Sequence, residues 1–136
     1  MGQTLLILGA AILGILGAVH LFLTLFTNKF EAYDSSVTLA MKEASIVLTK
    51  ETSIWKAWVG FNVSHSIGCI MLAGFYIPLS WSHYELIQQS IWFSYFPAVI
   101  GVFYLILAKA YWFKVPLIGI LISTICFIGA AVLKNT

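Results

Sequence analysis

The stretch Thr4–Thr27, TLLILGAAILGILGAVHLFLTLFT, contains no charged residue, and the first charge in the chain is Lys29. A helix of this length rises about 36 Å, enough to cross a hydrocarbon layer of roughly 30 Å. Hydrocarbon offers no partner to a backbone N–H or C=O, so a segment crossing it must bond internally as a helix. Three further stretches read the same way: about Ser53–Ile77, Ser90–Tyr111 and Pro116–Leu133. The composition agrees, with 61% hydrophobic and 9% charged residues against about 25% charged in a soluble domain. The expected fold is all-α, a four-transmembrane-helix bundle forming a single integral membrane domain over residues 1–136. Its spans are expected at about 4–27, 53–77, 90–111 and 116–133. The first lacks a basic leader and is too long for a signal's apolar core, so it reads as a retained span. Pro78 is expected to end the second span, because proline forfeits a helical hydrogen bond. Pro97 predicts a kink or a later start in the third span. Pro116 suits the first turn of the fourth, and Ser80, Ser82, His83 and Glu85 read as a polar turn.

Eight of the twelve charges fall between the first two spans if Lys56, just inside the second, is counted with the connection: Lys29, Glu31, Asp34, Lys42, Glu43, Lys50, Glu51 and Lys56. Asp34 or Ser35 can cap a helix there. Val37, Met41, Ala44 and Leu48 then recur at helical spacing, with Thr38, Lys42, Glu43 and Ser45 opposite. That pattern predicts an amphipathic cytoplasmic helix on the membrane surface. Numbering the connections alternately puts Lys29, Lys42, Lys50, Lys56, Lys109 and Lys114 on one side and only Lys134 on the other. The lysine-rich side is cytoplasmic by the positive-inside rule, which leaves both termini outside the cytoplasm. Trp55, Trp58, Trp81, Trp92 and Trp112 fall near span ends, where interfacial anchors belong. Small-residue rows at Ala10, Gly14 and Ala18, and at Gly119, Ser123, Cys126 and Ala130, predict close helix contacts. Cys69 and Cys126 sit in apolar stretches as small hydrophobes.

Polar groups inside a span are costly and become functional candidates by default. His20 lies in the first span, followed on nearly one face by Thr24, Thr27 and Glu31. In the second, Trp55, Trp58, Asn62, His65 and Cys69 form a stripe within about an 80° sector, with Ser66 beside it. Antiparallel spans bring His20 and His65 to depths within roughly two turns. Three readings follow. As packing alone, these groups hydrogen-bond across helices and fix the register. As a site, His20, Thr24, Trp55, Trp58, Asn62, His65 and Ser66 bind a lipophilic molecule or a partner membrane protein. The same site then suits a small enzyme in which His20, His65 and Asn62 handle protons on a lipophilic substrate. As a redox centre, His20 and His65 ligate a haem or metal. Binding without a cofactor or a metal is the leading expectation, with membrane lipids and a homo-oligomer among the partners. No Gly-rich phosphate loop, Cys-x-x-Cys pair or Ser-His-Asp arrangement is visible. All seven basic residues are Lys, which removes bidentate Arg clamps. The charge of +2 is too small and scattered for nucleic acid.

About fifty residues of the chain carry a resemblance. The pieces VHLFLTLFTNKF from Val19, AMKEASIVLTKET from Ala40 and WKAWVGFNVSHSIG from Trp55 resemble a family of small, uncharacterised bacterial four-helix membrane proteins. The likeness covers about residues 19–68. It implies the four-helix architecture, a bacterial inner membrane, and His20, Lys56, Asn62 and His65 as the characteristic positions. It implies no activity, cofactor or partner.

Overall fold

The computed structural model describes residues 1–134. Along them run α1 (Gly2–Phe26), α2 (Ser35–Glu43), β1 (Ser45–Ile46), β2 (Thr49–Ser53), α3 (Ile54–Ser82), α4 (Tyr84–Gln89), α5 (Ile91–Tyr111) and α6 (Lys114–Val132). The fold is all-α apart from one short hairpin, and α1, α3, α5 and α6 are long and apolar enough to cross a membrane. Two compact units divide the chain: Met1–Leu16 with everything from Cys69 onward, and Gly17–Gly68.

The first unit is a helical bundle whose core joins Leu6, Ala10 and Leu13 of α1 to Leu72 and Tyr76 of α3. Ile87 of α4, Ala98 of α5, and Ile120 and Phe127 of α6 complete it. The faces are reversed from those of a soluble protein. On α6 the buried stripe includes Ser123, Thr124, Cys126, Ala130 and Ala131, while Ile118, Leu121, Ile122, Ile125 and Ile128 are exposed. On α5, Ser94, Ala98 and Gly101 are buried and Val99, Val102, Phe103 and Ile106 face outward. Small and hydroxyl side chains inside let backbones approach. Ser123 Oγ donates to the carbonyl of Gly9 at 2.8 Å, a bond from α6 to the main chain of α1. Of the expected small-residue row on α1, Ala10 is buried and Gly14 meets Ala73, but Ala18 is exposed. Both cysteines are free and buried.

Pro116 falls in the first turn of α6 as expected, whereas Pro78 departs from the sequence expectation. Pro78 does not end α3, which continues to Ser82. The turn beyond it is held by His83 N–H on the Leu79 carbonyl at 2.9 Å. Gln3 Nε2 adds a bond to the Ser80 carbonyl at 2.7 Å. Ser80 is accordingly buried within the helix, not part of a polar turn. In α5, Pro97 leaves the Phe93 carbonyl without its helical donor. Tyr76 supplies one, its hydroxyl donating to that carbonyl at 3.1 Å. The helix therefore starts at Ile91, capped by Ser90, and not after the proline. His83 and Glu85 stay at the surface, 3.5 Å apart.

The second unit holds the ends of α1 and α3 with the connection between them. Asp34 caps α2, accepting from Ser36 N–H at 2.9 Å and Ser36 Oγ at 2.7 Å. The Ser36 hydroxyl, then its backbone N–H, holds the Asp34 carboxyl below its ordinary range. The helix is shorter than expected. It ends at Glu43, and β1 pairs antiparallel with β2 through Ser45↔Ser53 and Ile46↔Thr49. Ala44 and Leu48 thus leave the supposed apolar stripe. Val37 stays on α2 with an exposed side chain, and the buried residue of α2 is Thr38, which accepts from Ala32 N–H at 3.0 Å.

Candidate functional site

The site lies within the second unit, where α1 passes α3. His20 Nε2 and Asn62 Oδ1 are 2.9 Å apart. Asn62 Nδ2 donates to the Trp58 carbonyl at 2.8 Å, which aims the amide oxygen at the imidazole. A carbonyl oxygen only accepts, so His20 Nε2 carries the proton of this bond. The second ring is close: the centroids of His20 and His65 are 5.6 Å apart, edge to face at 76°. Phe30 closes another side of His20, edge to face at 4.6 Å. Trp58 fixes Phe30 in turn, its indole donating to the Phe30 carbonyl at 3.2 Å.

The other expected residues are placed less evenly. Thr24 is buried and its hydroxyl donates to the His20 carbonyl at 2.8 Å. Ser66 is fully buried and donates to the Asn62 carbonyl at 2.9 Å. Both hydroxyls are engaged by their own helices, where they position His20 and Asn62 without presenting a donor to a ligand. Trp55 carries Lys42 Nζ 5.2 Å above its ring. Glu31 does not follow His20 on a helical face, because α1 ends at Phe26. It lines a shallow hollow with Ser35, Ser36, Thr38, Leu39 and Lys42. Phe30 was invisible to the sequence reading, since no helical or strand period places a loop residue.

His20, Asn62 and His65 are partly exposed, and Trp58 more so. The cluster thus reaches the surface of the unit, with a donor–acceptor pair and two imidazoles in one place. Such a group can hydrogen-bond a ligand's polar end or relay a proton. Haem ligation through His20 Nε2 requires the Asn62 bond to break. Among the described residues no group of three or more His, Cys, Asp or Glu is placed to hold a metal ion. In comparison with known proteins, the chain matches no family model, no curated protein and no solved structure.

Proposed function

We propose that this chain is an integral membrane protein that holds the polar end of a lipophilic molecule at His20, Asn62 and His65. The lysine-rich connection between α1 and α3 faces the cytoplasm in this proposal. Helix lengths support the membrane reading: α5 and α6, at 21 and 19 residues, rise about 32 and 29 Å against a hydrocarbon core of roughly 30 Å. The reversed faces of α5 and α6 support it too, since their outer sides are more apolar than their buried ones. Kinship with the small bacterial membrane proteins that residues 19–68 resemble belongs to the same proposal.

The observation that carries the site reading is the grouping of a second imidazole with the His20–Asn62 bond. A single bond between helices is enough to set register. His65 and the Trp58-anchored Phe30 go beyond that need. Proton transfer on a bound substrate is the second reading, favoured by the tautomer that Asn62 imposes on His20. The alternative occupant, a polar segment of a partner membrane protein, is an outcome of the same test.

In Asn62→Leu and His65→Leu, stability in detergent should fall by only about 1 kcal/mol each. The lipophilic molecule that co-purifies with the unmodified protein should be lost, as read by mass spectrometry. Retention of that molecule, and of any co-purifying protein, by both variants sinks the site. A Soret band lost in His20→Ala and His65→Ala would replace this reading with haem ligation.

Orientation has its own test. In intact cells, and in a background with Cys69→Ala and Cys126→Ala, an impermeant thiol reagent should label Ser82→Cys and spare Ser45→Cys. Both positions are exposed, so the reverse pattern overturns the lysine argument.

A further inference from the structure

Two-residue hairpin turns normally carry Gly, Asn or Asp. Between Ile46 and Thr49 the turn residues are Val47 and Leu48, 109% and 89% exposed. Neither takes a positive φ. Backbone geometry therefore gives no reason for this pair, and exposure on this scale excludes a packing reason. Two adjacent apolar side chains so exposed at a turn are a candidate contact surface.

The hairpin is pinned to the start of α3. Ser45 pairs with Ser53, Ile54 N–H donates to the Ala44 carbonyl at 2.9 Å, and Lys42 lies over Trp55. Strand β2 ends at Ser53 and α3 begins at the next residue. From Leu48 at the tip to Ile54 at the start of α3 the chain extends at most about 20 Å, so the tip stays within that distance of the helix start. With Trp55 and Trp58 in the interfacial layer, this reach lets Val47 and Leu48 touch the lipid. Lys50 flanks the tip and is exposed, with a stem long enough to leave its cation among headgroups. Charge is not the attraction: Lys29, Lys42, Lys50 and Lys56 are balanced by Glu31, Asp34, Glu43 and Glu51.

We propose that the Val47–Leu48 tip inserts into the cytoplasmic leaflet and anchors the α2–hairpin segment on the membrane. This inference rests on the transmembrane reading above. Because the contact is apolar, it forms on neutral phosphatidylcholine and withstands high salt.

The test places an environment-sensitive fluorophore on Val47→Cys, and on Phe103→Cys as the reference, both lacking Cys69 and Cys126. The full chain is reconstituted into phosphatidylcholine vesicles. The label at 47 should shift to the blue, lose most of its emission to shallow nitroxide lipids and resist aqueous iodide, with or without salt. Quenching by iodide alone overturns the anchor by placing the tip in water. A blue-shifted label that neither agent quenches also overturns it, by placing a second protein surface over the tip. Phe103 is an exposed residue of α5, and its label distinguishes the two failures. If it is quenched by nitroxide while 47 is not, only the anchor fails. If neither is quenched by shallow or by deep nitroxide lipids, the transmembrane reading fails.

Discussion

Phe127→Ala is expected to destabilise the protein by about 3–5 kcal/mol, the usual loss for a large aromatic removed from a core. Phe127 is fully buried. Its ring atoms lie within 2.9 Å of where a Cβ on Gly9 would stand, so the ring occupies the space that the glycine leaves. Truncation empties that space, and the bond from Ser123 to the Gly9 carbonyl already sets the approach of α6 to α1. At this size of chain the midpoint of thermal unfolding in detergent should fall on the order of 10 °C or more. Phe103→Ala, on the exposed side of α5, should cost much less. Equal losses in the two variants would contradict the assignment of buried and outward faces.

Gly101→Leu is the second large effect. A Cβ at Gly101 would lie 2.8 Å from Thr124 Oγ1 and 3.3 Å from Thr124 Cα. Thr124 cannot yield easily: it is buried, its hydroxyl is bonded to the Ile120 carbonyl at 2.7 Å, and one contact is backbone. Overpacking of this kind costs about 1–3 kcal/mol or more, against which the better helix propensity of leucine returns less than 1 kcal/mol. The sequence rows singled out Gly119 instead. A Cβ there meets the end of the Leu16 side chain at 2.8 Å, and a flexible side chain can turn aside. Gly119→Leu should therefore be milder, and Gly74→Leu, with nothing within 4 Å, nearly neutral or stabilising. Thermal unfolding of the three variants checks the order. A Gly119 variant worse than the Gly101 variant would mean that α5 and α6 are not the close pair.

The candidate site was partly legible in the sequence. Helical spacing put Asn62 and His65 on one stripe of α3, and antiparallel connection brought His20 to a similar depth. Spacing along one helix does not say which residue of the next helix it meets. The 2.9 Å approach of His20 to Asn62, and the contact of His20 with His65, follow from how α1 and α3 pack. Trp55 shared the stripe but is turned to Lys42. Phe30 lay off every period, and its place depends on the Trp58 indole reaching back across the loop.

By itself the sequence determined the four long apolar helices, because a charge-free run of about twenty residues leaves the backbone no alternative to bonding within itself. It also determined the start of α2, since the Asp34 cap needs only its neighbour Ser36. Only the tertiary structure decided where partners far along the chain compete with local rules. Tyr76 supplies the donor that the Phe93 carbonyl loses at Pro97, seventeen positions from the hydroxyl to its acceptor. Gln3 steadies the turn after Pro78 from the far end of the sequence. The pairing of Ser45 with Ser53 took Ala44 to Leu48 out of a helix that their spacing favours. In the first two cases a contact distant in sequence supplied a hydrogen bond outside the helix, and in the third a hairpin ladder replaced the helical one.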